Sequence, residues 1–358
     1  MSDPRVEGDT TTVQVLEVLE PGLLTTVQDA GRPGLGHLGI PQGGFADPWS
    51  GALANLLAGA PAEAPLLEIT ALGPRLAVLA ALAVGLTGAD LGAVAGTADA
   101  IRAGRGRRLD PGRAHAIEIG EELAFDPTLA VPNTGFRAYL AVPGGLAVPR
   151  VLGSAATSLA GGFGGLAGRA LRAGDRLSSV LPGPARPSGT TSAPWSDSPS
   201  RPFLPPGTVR GRVRVVPLGA SRPAPLEHLC SRPWQVAPTS DRMGLRLDGV
   251  ALPSGSGEAL SHGVVRGTIQ VPPDGRPIVL LADHQPTGGY PVVGVAADAD
   301  AAVLGQLAPG DEVRFEAIPL QAALEARRAV RDALPGLARD PANSGAGRWD
   351  ELWRWARG

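Results

Sequence analysis

The sequence predicts a mainly β fold with a barrel or folded sheet in each half, and three observations carry that prediction. Glycine and proline number 50 and 36 among 358 residues, close to one residue in four, where average usage gives about one in eight. Turns must be frequent and long helices few. Short runs rich in Val, Ile and Leu, bounded by Gly, Pro or Asp, recur at residues 13–19, 66–70, 76–84, 116–119 and 138–142. They return at 213–217, 267–271, 278–282 and 312–317, and each reads as a strand. Finally, a glycine followed by a carboxylate opens a strand at Gly120-Glu121, Gly174-Asp175 and Gly310-Asp311. A positive-φ glycine before a carboxylate that can bond the next backbone N–H makes a tight turn.

Residues 181–208 are rich in proline and serine with no apolar period, so they cannot bury enough surface to form an element. With roughly 100–200 residues expected per domain, the chain divides into an N-terminal β lobe at 13–180, a linker at 181–208 and a C-terminal β lobe at 209–320. A helical, Trp-rich tail follows at 321–358, carrying Trp349, Trp353 and Trp355. The clearest helix begins at Asp47-Pro48, an N-cap carboxylate and a first-turn proline, and runs to Gly59. Trp49, Leu53, Leu56 and Leu57 share one face, with Asn55 away from it. A second short helix is expected from Asp298 to about Leu307.

The formal net charge of −2 supplies no basic footprint for nucleic acid or an anionic membrane. All 32 basic residues are arginine. Without lysine there is no phosphate loop ending in Gly-Lys-Ser/Thr, no Schiff-base lysine, and no residue to carry biotin or lipoate. The single Cys230 allows no internal disulfide and fits a reducing compartment. The polar N-terminus is neither a signal nor a transit peptide, and the most apolar run, residues 76–88, is shorter than the roughly 18–20 residues of a membrane helix. A cytoplasmic protein is expected.

Three stretches gather chemistry. Residues 25–34 and 39–47 place Gln28, Asp29, Arg32 and Gln42 in glycine-rich loops, where backbone N–H groups can approach a planar polar ligand. The competing reading is a turn salt bridge between Asp29 and Arg32. In residues 239–247, Arg242 and Arg246 fall on one side of an extended strand, and two guanidiniums suit a carboxylate or phosphate; pairing with Asp241 and Asp248 is the plainer alternative. Residues 283–291 collect Asp283, His284, Gln285, Thr287 and Tyr290 around Gly288-Gly289, at the end of an apolar strand. The imidazole titrates near neutral pH and can move a proton, although a loop histidine also serves as a surface hydrogen-bonder. Ser154 lacks a G-x-S-x-G elbow, and one cysteine excludes a multi-thiolate zinc site, so no metal is expected.

The ordered set of motifs, over about residues 14–320, resembles a known family. It comprises Gly22-Leu23-Leu24-Thr25-Thr26-Val27-Gln28-Asp29-x-Gly31-Arg32, Gly39-x-Pro41 with Asp47, Leu67-Glu68-Ile69-Thr70, Thr87-Gly88-Ala89 and Ala138-Tyr139-Leu140-Ala141-Val142. It continues with Val151-Leu152-Gly153-Ser154, Ser240-Asp241-Arg242-Met243-Gly244-x-Arg246-Leu247, Gly267-Thr268-Ile269-Gln270-Val271-Pro272 and Thr287-Gly288-Gly289-Tyr290-Pro291. The family is described as allophanate hydrolase subunit 2, biotin-dependent carboxyltransferase, or the C component of bacterial 5-oxoprolinase. Three loops depart from its pattern. Gly153-Ser154-Ala155-Ala156-Thr157 stands where Gly-Ser-Arg-Ser-Thr is usual, Pro217-Leu218-Gly219-Ala220 where a Gly-Pro-Gln turn is usual, and Gln285-Pro286-Thr287 where Gln-Thr-Thr is usual.

The resemblance implies two cyclophilin-like β-barrel lobes with a cleft between them. It implies one component of a hydrolase that works with a companion B component and an A component to open 5-oxoproline to glutamate at the expense of ATP, with Mg a candidate companion ion. Its alternatives are a carboxyltransferase component moving CO2 from carboxyl-biotin, held on another protein, to a urea-like nitrogen, and a non-catalytic antagonist of a histidine-kinase inhibitor. On the amide chemistry, Arg32, Arg242 and Arg246 are the expected donors to a negative oxygen. Asp29, Asp283 or His284 is the expected base, and Gln28 and Gln270 orient the amide. Gln42, Gln285, Thr287, Gly288, Gly289 and Tyr290 complete the expected substrate contacts.

Overall fold

The structure, a computed structural model, describes residues 12–180, 204–218, 223–253 and 260–338. Most of the expected linker and the three tail tryptophans lie outside the described residues. The chain is mainly β, with a few short helices and one longer one, Leu320–Ala338. No described helix is long and apolar enough to cross a membrane.

The N-terminal lobe is built from two sheets around one core. The six-stranded sheet runs Arg176–Val180, Thr12–Glu20, Arg75–Val78, Glu122–Phe125, Ala93–Gly96 and Arg107–Arg108. The five-stranded sheet runs Leu24–Gln28, Leu66–Thr70, Arg137–Ala141, Leu82–Gly88 and Arg113–Ile117. Leu16, Leu67, Ile69, Leu76, Val84, Leu123 and Leu140 fill the space between them. The expected strand 76–84 is in fact two, because Leu79–Ala81 leaves the sheet before Leu82 starts the next strand.

The five-stranded sheet is buried on its second face as well, under the helix Pro48–Leu57, whose Ala54 and Ala58 meet Phe45, Leu66, Tyr139 and Ala141. That is why Leu66–Thr70 and Leu82–Gly88 are buried at every position and read as continuous apolar runs. Gly85 lets the helix lie this close, since a β-carbon there would collide with the Ala54 carbonyl. Asp47 caps the helix as expected, accepting from Ser50 N at 3.0 Å. Asn55 is not on a solvated face: it is fully buried and its amide donates to the Ala62 and Ala64 carbonyls at 3.0 and 2.8 Å. A polar residue off the apolar stripe has here been used to tie down the loop after its own helix.

The C-terminal lobe is a closed barrel, in the order Arg212–Pro217, Val292–Ala296, Thr268–Gln270, Ile278–Leu280, Gly244–Asp248, Trp234–Val236 and Glu312–Ala317. It closes by parallel pairing of Arg212–Pro217 with Glu312–Ala317, over a core including Val213, Trp234, Leu245, Ile269 and Val279. The three glycine turns have the expected positive φ, at 84, 86 and 88° for Gly120, Gly174 and Gly310. Their carboxylates bond differently from expectation. Glu121, Asp175 and Asp311 reach back to the N–H three residues earlier, at Glu118, Arg172 and Ala308, and so close the turn from behind.

Candidate functional site

The two lobes meet along the segment that precedes the helix Pro48–Leu57, and the meeting surface is polar and buried. Glu68 is the third residue of the strand Leu66–Thr70. Leu67 and Ile69 point into the core, so alternation turns Glu68 to the opposite face, where it is 1% exposed. There its Oε2 accepts from Ala46 N at 2.8 Å and from the Tyr139 hydroxyl at 3.1 Å, and its Oε1 accepts from Arg242 of the other lobe. Burial opposes the Glu68 charge, but the Arg242 and Arg137 guanidiniums outweigh it and hold the carboxyl below its usual range. Tyr139 is pushed the other way, well above a normal phenol, by burial and by the carboxylates of Glu68 and Asp47.

Arg242 is bonded through every nitrogen. Nε and Nη2 hold Asp283 in a two-point pair at 2.8 and 3.1 Å, Nη2 also donates to the Gly44 carbonyl at 2.6 Å, and Nη1 donates to Glu68. Although burial works against it, the two carboxylates keep this guanidinium firmly charged. Around it, Gly43 N donates to the Ala282 carbonyl at 3.0 Å, Arg266 donates to the Phe45 and Ala46 carbonyls, and Arg137 donates to the Gly305 carbonyl at 2.6 Å.

Gln28, Asp29 and Arg32 sit just behind this junction, in the N-terminal lobe. The competing turn salt bridge to Arg32 is not made; the ion pair of Asp29 is with Arg150 at 3.9 Å. Asp29 accepts from Gly31 N, the Ser154 hydroxyl and Ala155 N at 2.8, 2.6 and 2.6 Å. Arg32 donates to the Ala156 carbonyl at 2.5 Å, and its guanidinium lies 4.9 Å from the centre of the Phe163 ring. It is 2% exposed, and Nη1 has no partner among the described residues. Burial lowers the Arg32 pKa, against the opposing pull of Asp29 and Asp283. Gln28 is equally buried, its amide donating to Thr26 Oγ1 and the Thr157 carbonyl, while half-buried Gln42 serves through its backbone carbonyl, which accepts from Arg32 N.

His284 is buried beside Asp283, and Nδ1 lies 2.7 Å from the Gln285 carbonyl. A carbonyl can only accept, so Nδ1 carries the proton and Nε2 is left as the basic nitrogen. Burial depresses the imidazole pKa, which keeps that nitrogen free of a proton at neutral pH.

The remaining expected residues lie elsewhere. Arg242 and Arg246 do not share a face: the strand begins at Gly244, so Arg242 turns into the junction while Arg246 is exposed on the outside of the barrel. Arg246, Gln270, Gln285 and Tyr290 line one groove there, a cavity of about 660 Å³. Thr287 and Gly288 pair with His262–Gly263 at its edge, with Gly289 next to them. The expected set therefore divides into a buried junction and an open groove, back to back across residues 241–244.

Sequence reasoning missed Glu68, Arg137, Arg266 and Gln306 as junction residues. A detectable signal existed for Glu68, a carboxylate inside the otherwise apolar run Leu66-Leu67-Glu68-Ile69, since a buried carboxylate requires a partner. Gln306 gave none, being a glutamine near the end of a short helix.

This architecture matches known proteins. The model of the carboxyltransferase domain, subdomain A and B, fits residues 38–317. The chain belongs to this carboxyltransferase domain family. Among members, the C component of 5-oxoprolinase from Escherichia coli is 37% identical over 328 residues, 88% of this chain and 94% of that protein. The Haemophilus influenzae protein of the same name is 30% identical over 318 residues, with the same coverage. The carboxyltransferase family also reaches into larger enzymes: the Lachancea kluyveri urea amidolyase is 30% identical, but the match is 18% of its length. Among solved structures, TTHA0988 superposes with a TM-score of 0.73 at 36% identity, covering 88% of this chain and 56% of that one. The Kluyveromyces lactis urea carboxylase gives 0.76 at 25% identity, covering 96% of this chain and 30% of that one.

Proposed function

We propose that this chain is the C component of a 5-oxoprolinase, an enzyme of several subunits that opens the lactam of 5-oxoproline to glutamate with consumption of ATP. The observation that carries the reading is the match of 94% of the length of two relatives of that name; urea amidolyase is matched over less than a fifth. Companion B and A components complete the assembly, and the chain is inactive without them. The chain has no lysine, so we assign ATP to the assembled complex and not to a lysine-bearing phosphate loop of this chain.

Opening a lactam requires donors to the oxygen that gains negative charge and a base for the attacking water. We assign the donor role to Arg32, whose Nη1 is unoccupied among the described residues, and the base to Nε2 of His284. Arg242 holds the lobes together through Glu68 and the Gly44 carbonyl, and Asp283 of its own lobe fixes its guanidinium there. Mixing the chain with its companion components, 5-oxoproline and ATP is expected to yield glutamate. No glutamate from the complete set would overturn the reading.

A second reading has its own support in the family match and the likeness to urea carboxylase: transfer of CO2 from carboxyl-biotin to a urea-like nitrogen. Lacking lysine, the chain would receive the biotin on another protein. Carboxylated urea formed with a carboxylated carrier protein, and no glutamate from 5-oxoproline, would establish it in place of the first.

A further inference from the structure

Arg32 is held by two carbonyls and an aromatic ring. Nη2 donates to the Ala156 carbonyl at 2.5 Å and Nε to the Val151 carbonyl at 3.4 Å. Cζ sits over the face of the Phe163 ring, 4.9 Å from its centre. These contacts leave Nη1 as the end without a partner among the described residues. It faces Gly43, where a β-carbon would lie 3.2 Å from Nη1 and 3.8 Å from Asp283 Oδ1. The junction between the lobes is on that side.

A ring is a particular neighbour for a buried cation. Burial opposes the charge of Arg32, and Arg242 meets the same opposition with two carboxylates. A carboxylate against Arg32 would occupy its N–H donors in a two-point pair. An aromatic face attracts the cation through its quadrupole and leaves the in-plane N–H groups free. Phe163 therefore supports the charge without consuming Nη1.

Core packing does not account for this phenylalanine. Among the described residues Phe163 is half-buried and outside the hydrophobic core of the lobe, whereas Leu166, three residues on, packs against that core. The loop that presents the ring is nonetheless tightly built. Ser158 N donates to the Phe163 carbonyl at 2.8 Å. Ala167 is held at a φ of 57°, a conformation that a residue with a β-carbon keeps only where its surroundings enforce it. Gly168 closes the loop on itself, since a β-carbon there would collide with Gly162. Gly164 brings the loop against the Ala156 carbonyl that Arg32 uses, and a β-carbon at Gly164 would strike that oxygen.

We propose that Phe163 is a positioning residue for Arg32, presented by residues 158–168 so that its ring holds the guanidinium charged and oriented with Nη1 toward the lobe junction. The proposal rests on Arg32 acting as the donor to the lactam oxygen, and adds the residue through which that donor is set.

The test joins steady-state kinetics of the complete complex, with 5-oxoproline and ATP, to nitrogen-15 spectra of the Arg32 guanidinium in the full chain. Phe163→Leu keeps an apolar side chain and removes the ring face. It should lower kcat about tenfold with KM little changed, and Phe163→Tyr should restore most of the loss. In an Arg32→Gln background the change to leucine should have no further effect, because the two side chains act as one unit. Independently of turnover, the Nε–H signal that Arg32→Gln removes should shift in Phe163→Leu and exchange faster with water. All variants are compared at a temperature where urea midpoints show them folded. Equal kcat losses in the leucine and tyrosine variants, an undiminished leucine effect in Arg32→Gln, or an unmoved Arg32 signal in Phe163→Leu would each overturn the proposal. Glutamate formation with kcat unchanged in Arg32→Gln would remove the donor role, and the proposal with it, while leaving the enzyme assignment standing. No glutamate from any complex, with the Arg32 signal moved in Phe163→Leu, would remove the enzyme assignment and leave the positioning of Arg32 by Phe163 standing.

Discussion

Arg242 of the barrel lobe donates to Glu68 of the N-terminal lobe in an ion pair that is buried on both sides. The same guanidinium holds Asp283 and the Gly44 carbonyl, so one side chain fixes the approach of three segments. The second carboxylate matters, because a buried cation is tolerated only when its charge and its N–H groups are all matched. Both candidate regions, the junction behind Gly43 and the groove beyond Met243, are positioned by this one residue.

Breaking the pair from one side should therefore be severe. Arg242→Met is expected to cost about 3–5 kcal/mol, the range for uncompensated buried charge, because it strands Asp283 and leaves Glu68 to Arg137 at 3.7 Å. Glu68→Gln should cost less, since Arg242 keeps Asp283. The double variant should lose less than the sum, since Glu68 and Arg242 no longer strand each other, while Asp283 still lacks its partner. Urea unfolding of the four proteins at pH 7.5 gives the cycle, and strictly additive losses would contradict the coupling.

Gln306 closes the junction from the other end. Its Oε1 accepts from Phe136 N and Arg137 N at 2.9 and 3.0 Å, and its Nε2 donates to Asp47 Oδ2 and the Arg137 carbonyl at 2.8 and 2.9 Å. One amide from the barrel lobe thus serves the edge of a strand and a helix cap in the other. Gln306→Leu leaves buried backbone groups unpaired, each worth about 1–3 kcal/mol, and should lower the urea midpoint markedly. Gln306→Glu keeps the acceptor but sets a second carboxylate oxygen against Asp47 Oδ2, and so should recover none of the loss at neutral pH.

The β content, the glycine turns and the helix capped by Asp47 were legible because each is written in local sequence: short apolar runs, positive-φ positions, an N-cap followed by proline. The division of the expected site was not. Alternation placed Arg242 beside Arg246, but alternation holds only inside a strand, and this one begins at Gly244. Likewise, Asp29 and Arg32 are three apart and invited a turn salt bridge, while the true partners of Asp29 come from Ser154 and Ala155, more than a hundred residues later. Long-range contacts of this kind leave no spacing to read.

That long-range clamp makes a prediction of its own. Ser154 donates to Asp29 at 2.6 Å in a fully buried setting, a hydrogen bond to a charged acceptor. Ser154→Ala should cost about 1.5–3 kcal/mol and loosen the loop that presents the Ala156 carbonyl to Arg32. If that loop only supports the fold, kcat in the complete 5-oxoprolinase assay should be unchanged at temperatures where the variant stays folded. If Arg32 is the donor to the lactam oxygen, kcat should fall with little change in KM, because the lost interaction belongs to the transition state.

The histidines set the acid limit of stability. Burial is the main cause that lowers the pKa of His284 and of His115 below 6.5. Near pH 7.5 both are neutral in the folded and unfolded chain and contribute no pH dependence. As pH falls through 6.5, the unfolded chain takes up protons that the folded chain refuses, and stability drops with each step down toward the folded-state values. Glu68 is also shifted down, but its contribution is complete above the usual carboxyl value of about 4.3 and is lost only below it, outside this window. Urea midpoints measured between pH 7.5 and 5.0 should therefore fall in wild type, and fall less steeply in His284→Asn and His115→Asn. The double variant should be the flattest of the four. An identical slope in all of them would show that these imidazoles are not the groups that refuse the proton.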